Sequence, residues 1–334
     1  MNNSSNRRPL ASLSLDADNL WAYQMTHGDP GWDTYPTYLD ALADAVLPVL
    51  ESLDTTITFF VVGQDAALDV NHKAITRLAE AGHEIGNHSF SHQPWMHRTG
   101  MAAIHDELDR AETALAAITG ERPVGFRGPG YSLSADVLRA LIDRGYTYDC
   151  STLPTVVGPL ARWFYFRSAK LSPEQRQQRS TLFGSARDGL RPLRPYEWEL
   201  GTARMLEMPV TTMPMIRVPI HLSYVLYLAG LSETLAVNYF ATALRVCRLR
   251  GVEPSILMHP LDVLGADDVA SLEFFPGMAM TGAAKREIVA RCLEVFTRQF
   301  RVVPMHEHVA AVRAKGALQR RNAFTSSPAA ERAA

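Results

Sequence analysis

The order of elements predicts an α/β fold, a (β/α) barrel of about seven units. Short runs dense in β-prone residues alternate with helical apolar repeats along residues 10–303. Such alternation implies a parallel sheet with right-handed crossovers. Seven or eight units in one chain imply a closed or nearly closed barrel. A second observation agrees: Asp16, His88, Arg127, Asp149 and His259 each follow an apolar, strand-like run. Reactive groups in such barrels sit at the C-terminal strand ends. The third is size, since 334 residues at 47% hydrophobic content suffice for one large core.

Taken in order, residues 10–15 read as a strand ending at Asp16. Residues 38–53 carry Leu39, Leu42, Val46, Val49, Leu50 and Leu53 at helical spacing. Pro48 inside that run is expected to kink the helix or divide it. Residues 55–62 form a second strand, and 74–81 a helix stopped by Gly82. A short strand at 83–86 precedes a long amphipathic helix at 101–118. A strand at 124–126 follows, then a helix capped by Ser134 and running to about Arg144. Residues 146–149, 206–208, 255–258 and 301–303 are further strands, and 234–250 and 283–300 further helices. Residues 152–205 break the alternation and read as an excursion over the barrel mouth. The catalytic domain is therefore expected at 10–312 with an insertion at 152–205, and flexible tails at 1–9 and 315–334.

A net charge of -2 implies no global attraction to nucleic acid. Cys150, Cys247 and Cys292 include no CxxC pair, as expected of reduced structural thiols. The N-terminal residues lack the apolar run of a signal peptide, and the apolar stretch at 220–231 is too short to span a bilayer. The expected location is cytoplasmic.

Two clusters carry the chemistry. The first is Leu15-Asp16-Ala17-Asp18, the second His88-Ser89-Phe90-Ser91-His92. Two histidines and one carboxylate suit a divalent ion with one position open, and the remaining carboxylate could act as a general base. On a helical turn the four-residue spacing would place both imidazoles on one face. A DxD motif also holds the metal of glycosyltransferases, but that reading leaves the histidine pair without a role. His83 and His97 read as structural or surface residues.

Five ordered segments, Leu15-Asp16-Ala17-Asp18, His88-Ser89-Phe90-Ser91-His92, Phe126-Arg127-Gly128-Pro129-Gly130-Tyr131, Tyr148-Asp149-Cys150-Ser151 and Leu257-Met258-His259-Pro260, resemble the motifs of the polysaccharide deacetylase family. This is the NodB-homology group of carbohydrate esterase family 4, and the resemblance spans residues 10–260. It implies a distorted TIM-like barrel and one divalent metal ion, usually zinc, held by Asp18, His88 and His92. It further implies that Asp16 is the general base, oriented and kept ionised by Arg127. His259 would be the general acid that protonates the departing amine, with Asp149 holding its tautomer. A backbone N–H near Gly130 or Tyr131 would complete an oxyanion site. Three departures are visible: Ala17 separates the aspartates, Gly130 precedes Tyr131, and the fourth segment lacks the aromatic residue expected at its end, which bears on the role of Asp149.

The substrate implied is an N-acylated sugar. Residues 160–204 hold nine Lys/Arg against Glu174, Asp188, Glu197 and Glu199, interleaved with Trp163, Phe164, Tyr165, Phe166, Phe183, Tyr196 and Trp198. Such a surface suits a lipid-linked saccharide phosphate and peripheral contact at the inner membrane face. The alternatives are an amidohydrolase of the same fold acting on a non-sugar C–N bond, and a carbohydrate-binding protein with a decayed site. Oligomeric state is not legible.

Overall fold

In the computed structural model, which describes residues 8–158, 177, 186–273, 275 and 277–322, β1 (Leu10–Asp16) is the central strand. Its odd-numbered residues Ala11, Leu13 and Leu15 pack into the main core, while Ser12, Ser14 and Asp16 are buried as well. A strand buried on both faces belongs to a sheet covered on both sides. β1 pairs in parallel with β2 (Thr58–Val61), which pairs with β3 (Glu84–Asn87), then β4 (Gly125–Phe126) and β5 (Tyr148–Asp149). The far edge of β1 pairs in parallel with β8 (Ser255–Met258).

The ladder from β5 continues to β7 (Ala203–Glu207), again in parallel. β7 also forms an antiparallel hairpin with β6 (Tyr196–Leu200). The chain after β7 closes the ring. Met208 N donates to Asp149 O at 2.8 Å, Val210 N to Thr152 O at 2.8 Å, and Thr211 N to Ser255 O at 2.9 Å. Thr211 Oγ1 in turn accepts from Ser255 N at 2.9 Å. Strands β7, β5, β4, β3, β2, β1 and β8 thus form one continuous parallel run, and the segment after β7 meets β8 through the two Thr211–Ser255 bonds rather than through a ladder.

The helices form where the periodicity places them. α1 (Leu20–His27) follows the Asn19 cap. α2 (Leu39–Ser52) runs unbroken through Pro48, contrary to the alternative of a divided helix. α3 (Gly63–Ala66), α4 (Asp69–Glu80), α5 (Met101–Thr119) and α6 (Ala135–Asp143) follow, the last with Ser134 Oγ accepting from Val137 N at 3.2 Å. α7 (Leu222–Ala229) and α8 (Glu233–Leu249) precede β8; α9 (Gly282–Gln299) leads to β9 (Arg301–Val303), which pairs with the first half of β1. α10 (Met305–Ala314) plugs the N-terminal end of the ring. There Met305 N donates to Thr58 Oγ1, His306 N to Glu84 Oε2, and His308 Nδ1 meets Ser12 Oγ at 2.9 Å.

Two expected boundaries differ. Residues 196–205 belong to the β6–β7 hairpin rather than to an excursion, because they extend the sheet beside β5. Residues expected in the C-terminal tail form β10 (Gln319–Asn322), paired in parallel with β6. The three cysteines are free and buried. Among the described residues no helix is long and apolar enough to cross a membrane.

Candidate metal and hydrolytic site

Parallel registry brings the strand ends to one mouth. Leu15 lies opposite both Phe59 and Met258, so Asp16 and His259 emerge side by side; Asn87 lies opposite Phe126, so His88 and Arg127 do the same. Asp18 lies two residues past the end of β1, its main-chain oxygen accepting from Tyr38 Oη at 2.5 Å.

Asp18, His88 and His92 converge. Asp18 Oδ1 lies 2.9 Å from His92 Nε2 and 3.2 Å from His88 Nε2, and the three ligand atoms lie within 4.8 Å of one another. His88 Nδ1 meets Arg127 O at 2.7 Å. A carbonyl only accepts, so Nδ1 carries the proton and the neutral ring turns the Nε2 lone pair toward a carboxylate oxygen. Two acceptors facing each other need a proton or a metal cation between them. This donor set fits a divalent ion of zinc type. Burial opposes charge on Asp18, but His92 and His88 outweigh it and hold the carboxyl well below its usual range. Burial likewise lowers His88, but the charges of Asp16 and Asp18 outweigh it and raise its pKa.

The turn bearing the histidines is not a helical turn. Ser89 (φ 60°) and His92 (φ 50°) are left-handed, a conformation that costs energy in non-glycine residues. Tertiary contacts hold it. Glu107 of α5 accepts from Phe90 N and Ser91 N through Oε2 and from Ser91 Oγ through Oε1, while Gly63 N and Gln64 N donate to Ser89 O and Phe90 O. Beneath His92, Trp21 makes an edge contact and donates to Asp65 Oδ1 at 2.8 Å. Asn19 Nδ2 reaches the same oxygen at 2.7 Å. Burial raises Asp65 to about 7 against those bonds.

Arg127, fully buried, spans the barrel interior. Its Nη1 donates to Asp16 Oδ1 at 2.6 Å and Ser14 Oγ at 2.9 Å, its Nε to Cys150 O at 3.2 Å, and its plane lies 4.5 Å from the Phe60 ring centroid. Asp16 is 5% exposed beside the cluster. The loop after Arg127 holds Gly130 (φ 57°) and Tyr131 (φ 61°) in left-handed conformations. Tyr131 N donates to Gly128 O at 2.9 Å, which removes it as a donor to a substrate oxygen. The Gly130 N–H makes no bond among the described residues, so of the two expected donors it is the free one.

Asp149 is not where the expected role requires it. Ser151 Oγ donates to its Oδ1 at 2.6 Å, and Gly128 N donates to Ser151 Oγ at 2.8 Å, so Asp149 braces the loop after Arg127. Its other neighbour is Glu207. Burial raises both carboxyls, which share a hydrogen bond. His259 Nδ1 is met instead by Ser223 Oγ at 3.0 Å. Register explains the difference: Asp149 lies directly opposite Glu207 across the β5–β7 pair.

Several neighbours of the site were not singled out by sequence: Asn19, Asp65, Glu107, His221, Ser223, Asp262 and Lys285. The ring of His221 lies 5.9 Å from that of His259 and 4.6 Å from Tyr224. Burial, with the charges of His259 and Arg127, pushes it down to about 3, so it is a neutral imidazole, and its Nδ1 has no partner among the described residues. The one sequence signal was Asp262 three residues after His259. Of the basic and aromatic segment, Arg162, Arg167, Lys170, Arg176, Arg179, Trp163, Phe164, Tyr165, Phe166 and Phe183 lie outside the described residues. Arg191 pairs with Asp188 and Arg194 donates to Arg250 O, so both serve the fold.

A polysaccharide deacetylase family model matches residues 29–148. That stretch contains His88, His92 and Arg127 but not the Asp16–Asp18 segment, Asp149 or His259. A chitin deacetylase of a Pestalotiopsis species is 33% identical over 107 residues, 32% of this chain and 36% of that protein. The peptidoglycan-N-acetylmuramic acid deacetylase PdaA of Bacillus subtilis is 34% identical over 110 residues, 33% of this chain and 41% of that one. The chain thus matches about two fifths of the length of these relatives. A solved structure from Mycobacterium smegmatis, assigned as a polysaccharide deacetylase, is similar over 98% of this chain and 97% of its own, with a TM-score of 0.62 at 18% identity. That likeness establishes the fold.

Proposed function

We propose that this chain, whose residues 29–148 match a polysaccharide deacetylase family model, hydrolyses the N-acetyl group of an acetylated saccharide with the help of one divalent ion. The observation that carries this reading is the meeting of two imidazole Nε2 atoms on one oxygen of Asp18, beside the Asp16–Arg127 pair. A divalent ion, zinc by the chemistry of the donors, would be held by Asp18, His88 and His92 and would supply a Lewis acid that polarises the amide carbonyl and acidifies water.

The remaining work falls to the protein. Asp16, its Oδ1 fixed by Arg127, accepts a proton from the attacking water through its other oxygen. Gly130 N–H donates to the carbonyl oxygen as charge develops there. His259 gives a proton to the departing amine, a step that an amide requires more than an ester. A lipid-linked form of the saccharide is supported by the composition of residues 160–204 alone.

The test is acetate release from acetylated chitin and peptidoglycan oligosaccharides, measured beside metal content. The wild-type protein should bind about one divalent ion per chain. His88→Ala and His92→Ala should lose metal and at least about 10²-fold in turnover together. Full metal and full activity in the double variant would refute the assignment. Retained metal without acetate release from any saccharide would favour the non-sugar amidohydrolase or the binding protein.

A further inference from the structure

The loop 127–132 is held at both ends on the segment that carries the two histidines of the metal cluster. At its start Arg127 O meets His88 Nδ1 at 2.7 Å. At its end Ser132, 2% exposed, accepts through Oγ from His97 N at 2.9 Å and lies 2.9 Å from His97 Nδ1. His97 sits five residues beyond His92, in the short helical turn Met96–Arg98. The apolar neighbours of the pair meet as well: Met96 and Leu133 are buried in one cluster with Phe126 of β4. A hydroxyl both donates and accepts, so the contact with the imidazole stands whether Nδ1 carries a proton or a lone pair. Between its two ends the loop is strained. Tyr131 holds φ 61°, a left-handed conformation that persists in a non-glycine residue only where neighbours impose it. Tyr131 N donates to Gly128 O and Ser132 N to Pro129 O, so Gly130 is tied to Ser132 by tight turns.

We propose that Ser132 and His97 form a clasp that positions the Gly130 N–H against the metal-binding turn, which makes both of them positioning residues of the oxyanion site. The need for such a clasp follows from the division of the site. Asp18, His88 and His92 lie on two segments and Gly130 on a third, yet all must serve one carbonyl group. An oxyanion donor works only at about 3 Å from the developing charge, so the third segment has to be fixed against the others. Ser151, on Gly128 N, fixes the loop against β5. The clasp fixes its far end against the segment of His88 and His92. The catalytic consequence rests on the deacetylase reading; the clasp itself does not.

The experiment is nitrogen-15 NMR of the glycine-labelled, metal-loaded protein, with the Gly130 amide assigned by its loss in Gly130→Asn, alongside acetate-release kinetics. His97→Ala, remote from Gly130 in sequence, should move the Gly130 amide signal and lower kcat about threefold with KM held, because a displaced oxyanion donor weakens the transition state more than the bound substrate. His97→Asn, which sets a polar atom where Nδ1 stood, should restore both. Ser132→Ala loses the main-chain bond as well and should lower kcat about tenfold. The double variant should be no worse than Ser132→Ala alone, since one contact is removed in each. An unmoved Gly130 amide in His97→Ala, or losses that add in the double variant, overturns the proposal. Metal content that falls in step with kcat in His97→Ala also overturns it, because the contact would then serve the metal turn. A Gly130 amide that moves and is restored as expected, in a protein that releases no acetate from any saccharide, would sustain the clasp and refute the deacetylase reading.

Discussion

Single side chains here are set by what they cannot leave unpaired. Arg127 is a fixed cation in the barrel interior, and three of its neighbours, Asp16, Ser14 and Cys150, supply oxygens in directions that define where Asp16 points. His83 shows the same logic away from the site. Its Nδ1 accepts from Ile57 N at 3.1 Å, and burial lowers its pKa from 6.5 to about 4. The unfolded chain therefore binds a proton between those values that the folded chain refuses. Stability is predicted to fall as pH drops from 6.5 toward 4, by on the order of 1–3 kcal/mol. Chemical denaturation at pH 7 and pH 4.5 measures this. His83→Gln, which keeps an acceptor and does not titrate, should flatten the difference relative to wild type.

At the scale of elements, the loops carry the chemistry and the helices hold the loops. The turn 88–92 reaches its shape through Glu107 of α5, nineteen residues after His88 and invisible to motif spacing. The loop 127–132 is braced from β5 through Asp149 and Ser151. A Cβ on Gly128 would lie 2.1 Å from Ser132 O, a main-chain atom that cannot rotate away. Gly128→Ala is thus predicted to displace the Gly130 N–H and lower kcat by roughly 10²-fold. Metal content should fall less than activity, because the loop reaches the metal cluster only through Arg127 O on His88 Nδ1. Equal loss of metal and activity would instead place this loop in support of the metal cluster.

For the whole molecule, ring closure is the decisive feature. The seven-strand ring has six ladders and one weak seam, where Thr211 and Ser255 exchange two bonds. Thr211→Val removes the side-chain acceptor and leaves the buried Ser255 N–H unpaired. A loss of about 1–3 kcal/mol is expected, read as a lower Tm or denaturation midpoint. An unchanged midpoint would mean that the seam contributes nothing to the ring. Element order was legible in sequence because apolar periodicity is local: β1, β2, α5, β8 and α9 fall within a few residues of their expected bounds. β10 was not, since its residues are polar and charged and pair with β6 at the edge of the sheet; β6 alternates Tyr196, Trp198 and Leu200 with glutamates but lies in the stretch read as an excursion.

The sequence by itself determined which residues reach the mouth. Asp16, Asp18, His88, Arg127 and His259 sit just past apolar runs, and in a parallel sheet that position alone carries them to one end. Only the tertiary structure decided who holds whom. Asp149 turned to Ser151 and Glu207 because β7 lies beside β5, and His259 took Ser223 because α7 passes its ring. The physical reason is range. Strand-end placement follows from a period of a few residues, whereas a hydrogen-bond partner is fixed by the packing of segments dozens of residues apart, which no local pattern encodes.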